Sequence, residues 1–470
     1  MYSQNPNDLN FPILFFDDKK EISWTLEDAV RGTQIFGGIG SGKTSGSGKT
    51  IAKGFLQAGY GGLVLCAKKE ERAAWVEYAK ECGRADDLVV FSEKNPFRFN
   101  FLDYEMTRTS QGGGQTLNLV KLFMTIHEMG KRGQGGGAKS EDQFWQSALS
   151  RLLFRVIELI KLSKMELTID LMYQVITSAP RDLSAFHDNV WVNESTCLKC
   201  ILAANDNAKD TDSFRLVDSF WTQEFPSLDE KTRSIICESA YALFENFLSG
   251  LLKELLATKT NITPEITQEG KIIILDIPVQ SYLELGIYAQ SIFKYVWQQA
   301  VERRDIDKNP TPNFLWVDES QFFLNQHDML FQTTARSSRT CTVLLSQNIS
   351  NYYAVMGGGM RYKDMTNSLL ANLSTKIFHA NNDHVSNSWA ADTIAQDWQM
   401  VANYSSSQSA RGSSAGAGQQ LVHQVRPIEF TLLKNGGVLN NYEVLAFLTI
   451  AGRPLKDGKN FMKISFDQRV

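Results

Sequence analysis

The residues best suited to chemistry lie in a glycine-rich run from Phe36 to Thr50, reading Phe-Gly-Gly-Ile-Gly-Ser-Gly-Lys-Thr-Ser-Gly-Ser-Gly-Lys-Thr. Gly37, four residues, then Gly42-Lys43-Thr44 satisfy the phosphate-binding pattern G-x-x-x-x-G-K-[ST] in full. Gly37, Gly38, Ile39, Gly40, Ser41 and Gly42 would curl consecutive backbone N–H groups around phosphate oxygens, which a Cβ at the tight positions obstructs. Lys43 would reach the β- and γ-phosphates of ATP, and Thr44 would place its hydroxyl on Mg2+. The helix that follows would aim the positive end of its dipole at the anion. Gly48-Lys49-Thr50 repeats the ending six residues later, but a second full match needs glycine where Lys43 stands. The helix of the first copy must run through Ser45-Gly46-Ser47-Gly48, each glycine costing about 1 kcal/mol relative to alanine. The first copy is the better match, with Lys49 as the alternative to Lys43.

A phosphate loop needs a partner, and Phe314-Leu315-Trp316-Val317-Asp318-Glu319 supplies it. Four apolar residues ending in a carboxylate pair read as a strand buried on both faces. Asp318 would hold Mg2+, and Glu319 would orient or deprotonate the attacking water. Cys341 to Gln347 is a second apolar strand, whose terminal Gln347 would hydrogen-bond the γ-phosphate or that water; a loop cap is its alternative. Between the two strands lie Arg336 and Arg339. A fixed guanidinium reaching a neighbouring subunit's γ-phosphate stabilises phosphoryl transfer, and either arginine fits that role or a surface ion pair.

The elements that position these residues alternate. A short strand (Phe11 to Phe16) and a polar turn lead to the loop; a helix from Ile51 to Tyr60, a strand at Leu63 to Cys66, a helix at Glu70 to Cys82 and a strand at Asp87 to Phe91 follow. This is the α/β pattern of a mostly parallel sheet flanked by helices. From about Gln115 to Glu302 helical periodicity dominates, interrupted by one strand at Lys271 to Pro278. The expected layout is a nucleotide-binding core over 1–105, an inserted mainly helical domain over 106–265, and the rest of the core over 266–470. Gly112 to Gly114 and Gly133 to Gly137 read as flexible loops, the second beside Lys131, Arg132 and Lys139, a basic cluster able to touch phosphates. Residues 375 to 379 form a further strand, Trp389 to Trp398 a helix, the Ser/Gly/Ala-rich Tyr404 to Gln420 a mobile loop, and Asn441 to Ile450 a last β element.

Composition bounds the rest. The formal net charge of -4 offers no global basic field, so any DNA contact must be local. Met356 to Lys363, with three glycines, Arg361, Tyr362 and Lys363, is the candidate segment for gripping phosphates and stacking a base. No apolar run approaches membrane-spanning length and no secretory signal opens the chain, so a cytoplasmic protein without direct membrane insertion is expected. Cys197-Leu-Lys-Cys200 lacks the second ligand pair of a zinc site, and reduced thiols are the expectation for all six cysteines.

With these motifs in place the chain resembles the conjugative coupling proteins (TraG and TraD type) of the FtsK–HerA superfamily of DNA-pumping ATPases. Gly-Gly-Ile-Gly-Ser-Gly-Lys-Thr resembles that family's phosphate loop, Trp-Val-Asp-Glu its acidic strand, and the step from Arg336 to Gln347 its arginine followed by a strand ending in glutamine. Phe144-Trp145 opening a long helix, and Asn372 to His379, have the same look. The resemblance implies a RecA-like core in which the strand ending in Gln347 separates the acidic strand from the phosphate-loop strand. It also implies an all-helical domain grown from that core and a hexameric ring with DNA in its channel. Two departures stand out: the N-terminal membrane helices usual in coupling proteins are missing, and Cys66-Ala67-Lys68 follows the second strand where the family often has an acid. The expectation is an ATP- and Mg2+-dependent, hexameric DNA-translocating ATPase serving conjugation, a mobile element or defence. The alternative is an ATP-gated switch that recruits a protein partner through the helical insertion.

Overall fold

Short, largely apolar runs become most of the strands. The strands are β1 (Pro12–Phe15), β2 (Ser23–Thr25), β3 (Thr33–Phe36), β4 (Gly61–Leu65), β5 (Leu88–Phe91), β6 (Ile272–Leu275), β7 (Asn313–Val317), β8 (Thr340–Ser346), β9 (Thr375–Phe378), β10 (Gln396–Ser406), β11 (Ser413–His423), β12 (Glu443–Ile450) and β13 (Phe461–Asp467). The computed structural model describes residues 2–17, 19–130, 140–356, 360–406 and 413–469. Nine strands form one sheet in the order β13-β12-β9-β3-β8-β7-β4-β6-β5. β3 runs parallel to β8 and β9, and β7 runs parallel to β8 and β4. Every residue of β3, β4, β7, β8 and β9 is buried, so none of these strands alternates buried with exposed residues, and β4 and β7 read as nearly continuous apolar runs. The fold is therefore the α/β arrangement expected, and β8 lies between the phosphate-loop strand and the acidic strand.

The chain divides into two units. The first comprises residues 1–88, 267–273 and 304–470, the second residues 89–266 and 274–303, so the division cuts through β5 and β6. In the first unit an aromatic stack fixes β7. Phe55 and Trp75 lie on either hand of Phe314, with ring centroids 5.2 and 5.4 Å away and near-parallel planes. Gly62 of β4 is paired in register with Phe314, and a Cβ there would come within 2.5 Å of the Phe314 ring and carbonyl oxygen. Glycine thus makes room for the ring that seats the acidic strand.

The second unit is helical, apart from its strand residues. Ser, Thr and Asp side chains cap the starts of several helices: Thr168 accepts from Leu171 N, Ser195 from Leu198 N, Thr211 from Phe214 N and Asp229 from Thr232 N. Phe101, Phe123, Phe244 and Phe247 form its aromatic centre, with centroid separations of 5.4 to 5.9 Å. Cys197 and Cys200 are buried free thiols on one helix, and among the described residues no group of three ligating side chains could hold a metal ion. No single helix among the described residues is long and apolar enough to cross a membrane.

Four stretches depart from the sequence reading. The Ser/Gly/Ala-rich segment expected as a mobile loop instead supplies half of an antiparallel ribbon, β10 with β11 in unbroken register from Gln396↔His423 to Ser406↔Ser413. Backbone pairing can hold small residues in a strand whatever their side chains, so their lack of apolar pattern hid it; residues 407–412 fall outside the described residues. The helix expected over Trp389 to Trp398 is shifted to His384–Ile394, and Trp398 belongs to β10. The lead-in to the loop contains an extra strand, β2, antiparallel to β1, and a short helix with a capping box between Thr25 and Asp28. The chain also does not end its β structure at Ile450, because β13 pairs antiparallel with β12 and alternates buried and exposed residues. The basic cluster Lys131, Arg132 and Lys139 lies outside the described residues.

Truncating Phe314 removes a ring stacked on two others in a fully buried strand. Phe314→Ala should therefore cost about 3–5 kcal/mol of stability, read as a lower denaturation midpoint followed through tryptophan fluorescence, to which Trp75 contributes.

Candidate functional site

The phosphate loop leaves the carboxyl end of β3 and turns through left-handed glycines, Gly40 at φ 69° and Gly42 at φ 80°. Its space is set by close neighbours. A Cβ on Gly37 would lie 2.4 Å from Ser41 Oγ and 2.8 Å from His379 Cβ, and one on Gly42 would meet Val444 at 2.6 Å. Gly38 N donates to Ala380 O at 2.8 Å, and Ser41 N to Gly38 O at 3.2 Å. Ser41 Oγ is buried without a hydrogen-bond partner. Ile39 stands 88% exposed at the rim. The loop has no room for a Cβ at Gly37 or Gly42, and its unpartnered Ser41 hydroxyl fits a phosphate oxygen.

The duplicated Ser-Gly-Lys-Thr coincides with an irregular helix start. Thr44–Gly48 winds as one π turn before the regular helix Lys49–Gln57 begins. Gly48 N reaches back to Lys43 O at 2.8 Å, and a Cβ on Gly48 would sit 2.9 Å from that same oxygen. The glycines that looked costly in the sequence are what lets the wider turn lie against the sheet. Lys43 is buried, with Nζ 3.8 Å from Glu319 Oε1. Lys49 is a turn further on, where its charge acts on Glu81 and Asp467. Below the loop, His379 Nε2 meets Ser47 Oγ at 2.7 Å; burial, reinforced by the Lys43 charge, lowers the imidazole pKa to about 3 and keeps it neutral.

The acidic pair comes off β7. Thr44 Oγ1 donates to Asp318 Oδ2 at 2.9 Å, which places a hydroxyl and a carboxylate oxygen side by side, the donor types Mg2+ takes. Glu319 is only 2% exposed and adopts left-handed backbone, φ 45° and ψ 48°. Four side chains converge on its carboxylate. Lys68 Nζ lies 2.6 Å from Oε1, Gln321 Nε2 2.9 Å from Oε2, Gln347 Nε2 3.3 Å from Oε2, and Lys43 stands as given above. Burial would raise this carboxyl; the Lys43 charge and the hydrogen bonds from Lys68 and Gln321 outweigh it and hold the group below its ordinary value. Lys68 is correspondingly raised, its partial burial outweighed by Glu319. Gln321 is itself fixed, since its Oε1 accepts from Ser346 Oγ at 2.9 Å. A buried chain continues from the next residue, with Ser320 Oγ 2.6 Å from Tyr352 Oη and Tyr352 Oη 3.0 Å from Gln34 Oε1.

Glu71 is a further carboxyl near this pair, in the first turn of the helix Lys69–Glu81. Its Oε2 accepts from Ala67 N at 2.8 Å. Burial, then the Asp318 charge, push its pKa up to about 8.

The structure thus gathers Lys43, Thr44, Asp318, Glu319 and Gln347, and leaves others of the sequence candidates apart. Arg336 is exposed and pairs with Glu27 at 2.9 Å. Arg339 turns inward in left-handed backbone, and its guanidinium donates to Asn7 O and Pro310 O. Lys363 Nζ lies 5.5 Å from the centroid of the Tyr353 ring. The side chains of Arg361 and Tyr362, like residues 357–359, lie outside the described residues. Lys68, Gln321, Glu71 and His379 were missed by sequence reasoning. For Lys68 a signal was present: a cation just past the carboxyl end of a buried parallel strand, the edge where such sheets place their sites.

No protein-family model matches the chain, and no curated protein matches it by sequence. Solved structures do match in fold. The unbound form of the bacterial conjugative coupling protein TrwB, TrwBdeltaN70, superposes with a TM-score of 0.63 at 12% identity, over 96% of this chain and 88% of that one. TrwB in complex with ADP and Mg2+ gives a TM-score of 0.61 over 95% and 87%. TrwB with a non-hydrolysable ATP analogue gives 0.60 over 96% and 89%, both again at 12% identity. At that identity the likeness establishes the fold, which this chain shares with TrwB over nearly its whole length.

Proposed function

We propose that this chain is an ATP- and Mg2+-dependent motor ATPase of the conjugative coupling-protein type, related to the FtsK–HerA DNA pumps and working as a hexamer that moves DNA. The observation that carries this reading is the convergence of Lys43 and Thr44 after β3, Asp318 and Glu319 after β7, and Gln347 after β8. TrwB, of like fold, binds ADP with Mg2+. In this reading the loop Gly37 to Gly42 cradles the phosphates, and Lys43 leaves Glu319 for the β- and γ-phosphates. Thr44 and Asp318 hold the cation, which when bound neutralises charge on the phosphate oxygens. Glu319, kept ionised, orients the attacking water and accepts its proton, while Gln347 fixes the water or the γ-phosphate. Lys68 keeps Glu319 in place once Lys43 has moved.

Arg336 acts in trans. Its exposed guanidinium suits a group that completes a neighbour's site, whereas Arg339 serves as an anchor between chain segments. The segment Met356 to Lys363 is the candidate DNA contact, and the compartment is the cytoplasm. Should turnover prove indifferent to DNA, the ATP-gated switch recruiting a protein partner through the helical unit takes its place.

Steady-state ATP hydrolysis measured against increasing single- and double-stranded DNA tests the motor. DNA should raise the rate, and Glu319→Gln should remove it, lowering kcat by about 10²–10⁴-fold while nucleotide still binds. A rate unmoved by either DNA form would sink the motor reading.

Separate alanine substitutions test the loop and the finger. Lys43→Ala should lose ATP binding by equilibrium dialysis and Lys49→Ala keep it; the reverse would assign the second copy. Arg336→Ala should keep ATP binding and lose about 10³-fold or more in kcat, and mixing it with Lys43→Ala protein should restore turnover only if subunits share sites.

A further inference from the structure

We propose that Tyr352 is a positioning residue for Glu319, acting through Ser320. The inference rests on the catalytic role given to Glu319 above and names the residue that holds its backbone in place.

The donors on the Glu319 carboxylate fix the end of the side chain, and the backbone needs a hold of its own. At φ 45° and ψ 48° it lies in left-handed space, which a residue with a long side chain keeps only where its surroundings enforce it. Glu319 N donates to Asp318 Oδ1 at 2.8 Å, which ties the residue to its predecessor. The following residue supplies the rest. Ser320 Oγ donates to Leu345 O of β8 at 2.8 Å and lies 2.6 Å from Tyr352 Oη. The next turn hangs on the same residue, Phe323 N and Leu324 N donating to Ser320 O at 3.0 and 3.1 Å. A shift of Ser320 therefore moves the peptide that sets where Glu319 points.

Tyr352 brings its contact from a separate element, the helix Ile349–Val355. That helix begins two residues after Gln347, where Asn348 Oδ1 accepts from Asn351 N at 2.7 Å and Ile349 N donates to Ser386 Oγ at 2.9 Å. One helix thus starts beside Gln347 and reaches Ser320 with Tyr352, so it governs both side chains that would flank the attacking water. Tyr352 Oη also donates at 3.0 Å to Gln34 Oε1, in the strand that leads to the phosphate loop. Tyr352, Ser320 and Gln34 are all wholly buried. A phenylalanine would pack equally against Phe36, whose ring centroid lies 5.9 Å away, without burying a hydroxyl. What the tyrosine adds is a fixed polar contact with the residue after Glu319.

The test uses the full chain as wild type, Tyr352→Phe and Ser320→Ala, each with Glu319 intact and with Glu319→Gln. Measured are kcat and KM for ATP, ATP affinity by equilibrium dialysis, and the denaturation midpoint as a check of folding. Tyr352→Phe removes one oxygen and keeps the ring. With Glu319 intact it should lower kcat on the order of 10²-fold, the cost of a misplacement of about 1 Å, and leave ATP affinity at the wild-type value. With Glu319→Gln in place it should cause no further loss, because it acts only through that carboxylate. A folded Tyr352→Phe protein with wild-type kcat overturns the proposal. So does an equal loss in both backgrounds, which marks general damage to the fold. Should Tyr352→Phe not fold, Ser320→Ala decides by the same two comparisons. A wild type without ATP turnover, or a Glu319→Gln protein as fast as wild type, would instead end the catalytic reading of Glu319, and this inference with it.

Discussion

A carboxylate held ionised in a nearly waterless place is the constraint on which the rest of the site depends. Glu319 is buried and sits in left-handed backbone, a conformation that costs a bulky residue on the order of 1–3 kcal/mol. Such a group persists only if its surroundings replace the lost water. Here they do so from three directions: an ammonium past the end of β4, one past the end of β3, and amides from Gln321 and the end of β8. Parallel strands make this possible, because parallel order brings the ends of β3, β8, β7 and β4 to one edge. Insert an antiparallel strand among these four and one of the donors would leave for the opposite edge.

The two lysines on Glu319 are not equivalent. Lys68 makes the short contact at 2.6 Å and Lys43 the long one at 3.8 Å. A loose contact is the one that exchange with a phosphate can break without stranding the carboxylate. The tight one, with Gln321 locked by Ser346, keeps the charge neutralised throughout. Removing a single partner from a fully buried pair is expensive, and a redundant set of donors lets one partner leave. In the motor reading proposed above, the long Lys43 contact therefore belongs with the loop's glycines as a part of the site prepared for an anion.

Legibility followed the kind of force involved. β4, β7 and β8 were readable because a strand covered on both faces is mostly apolar, and each was found within a residue or two. Thr44, Asp318 and Lys43, which the structure brings to one place, stood out because phosphate chemistry asks for those types at that spacing. What escaped depended on contacts between residues far apart in the chain. The pairing of Lys68 with Glu319 spans 251 positions, and nothing local to either residue announces it. The β10–β11 ribbon escaped for another reason: its Ser, Gly and Ala residues give no apolar alternation, and its strands are joined by backbone hydrogen bonds that any sequence can make.

Arg336 and Arg339 show the limit most clearly. They are three residues apart in Ala-Arg-Ser-Ser-Arg-Thr, with the same charge and the same reach. Backbone geometry separates them: Arg339 adopts φ 47° just before β8, which turns its side chain back toward Asn7 and Pro310, where carbonyl oxygens take its donors. Arg336 closes the preceding turn, Arg339 N donating to its carbonyl at 3.1 Å, and is left 60% exposed with one carboxylate partner that also binds Arg31. A shared, exposed ion pair contributes little to stability, about 0–1 kcal/mol. Arg336 can therefore exchange Glu27 for a stronger anion at small cost, and Arg339 cannot leave its carbonyls without stripping a part-buried guanidinium of its acceptors.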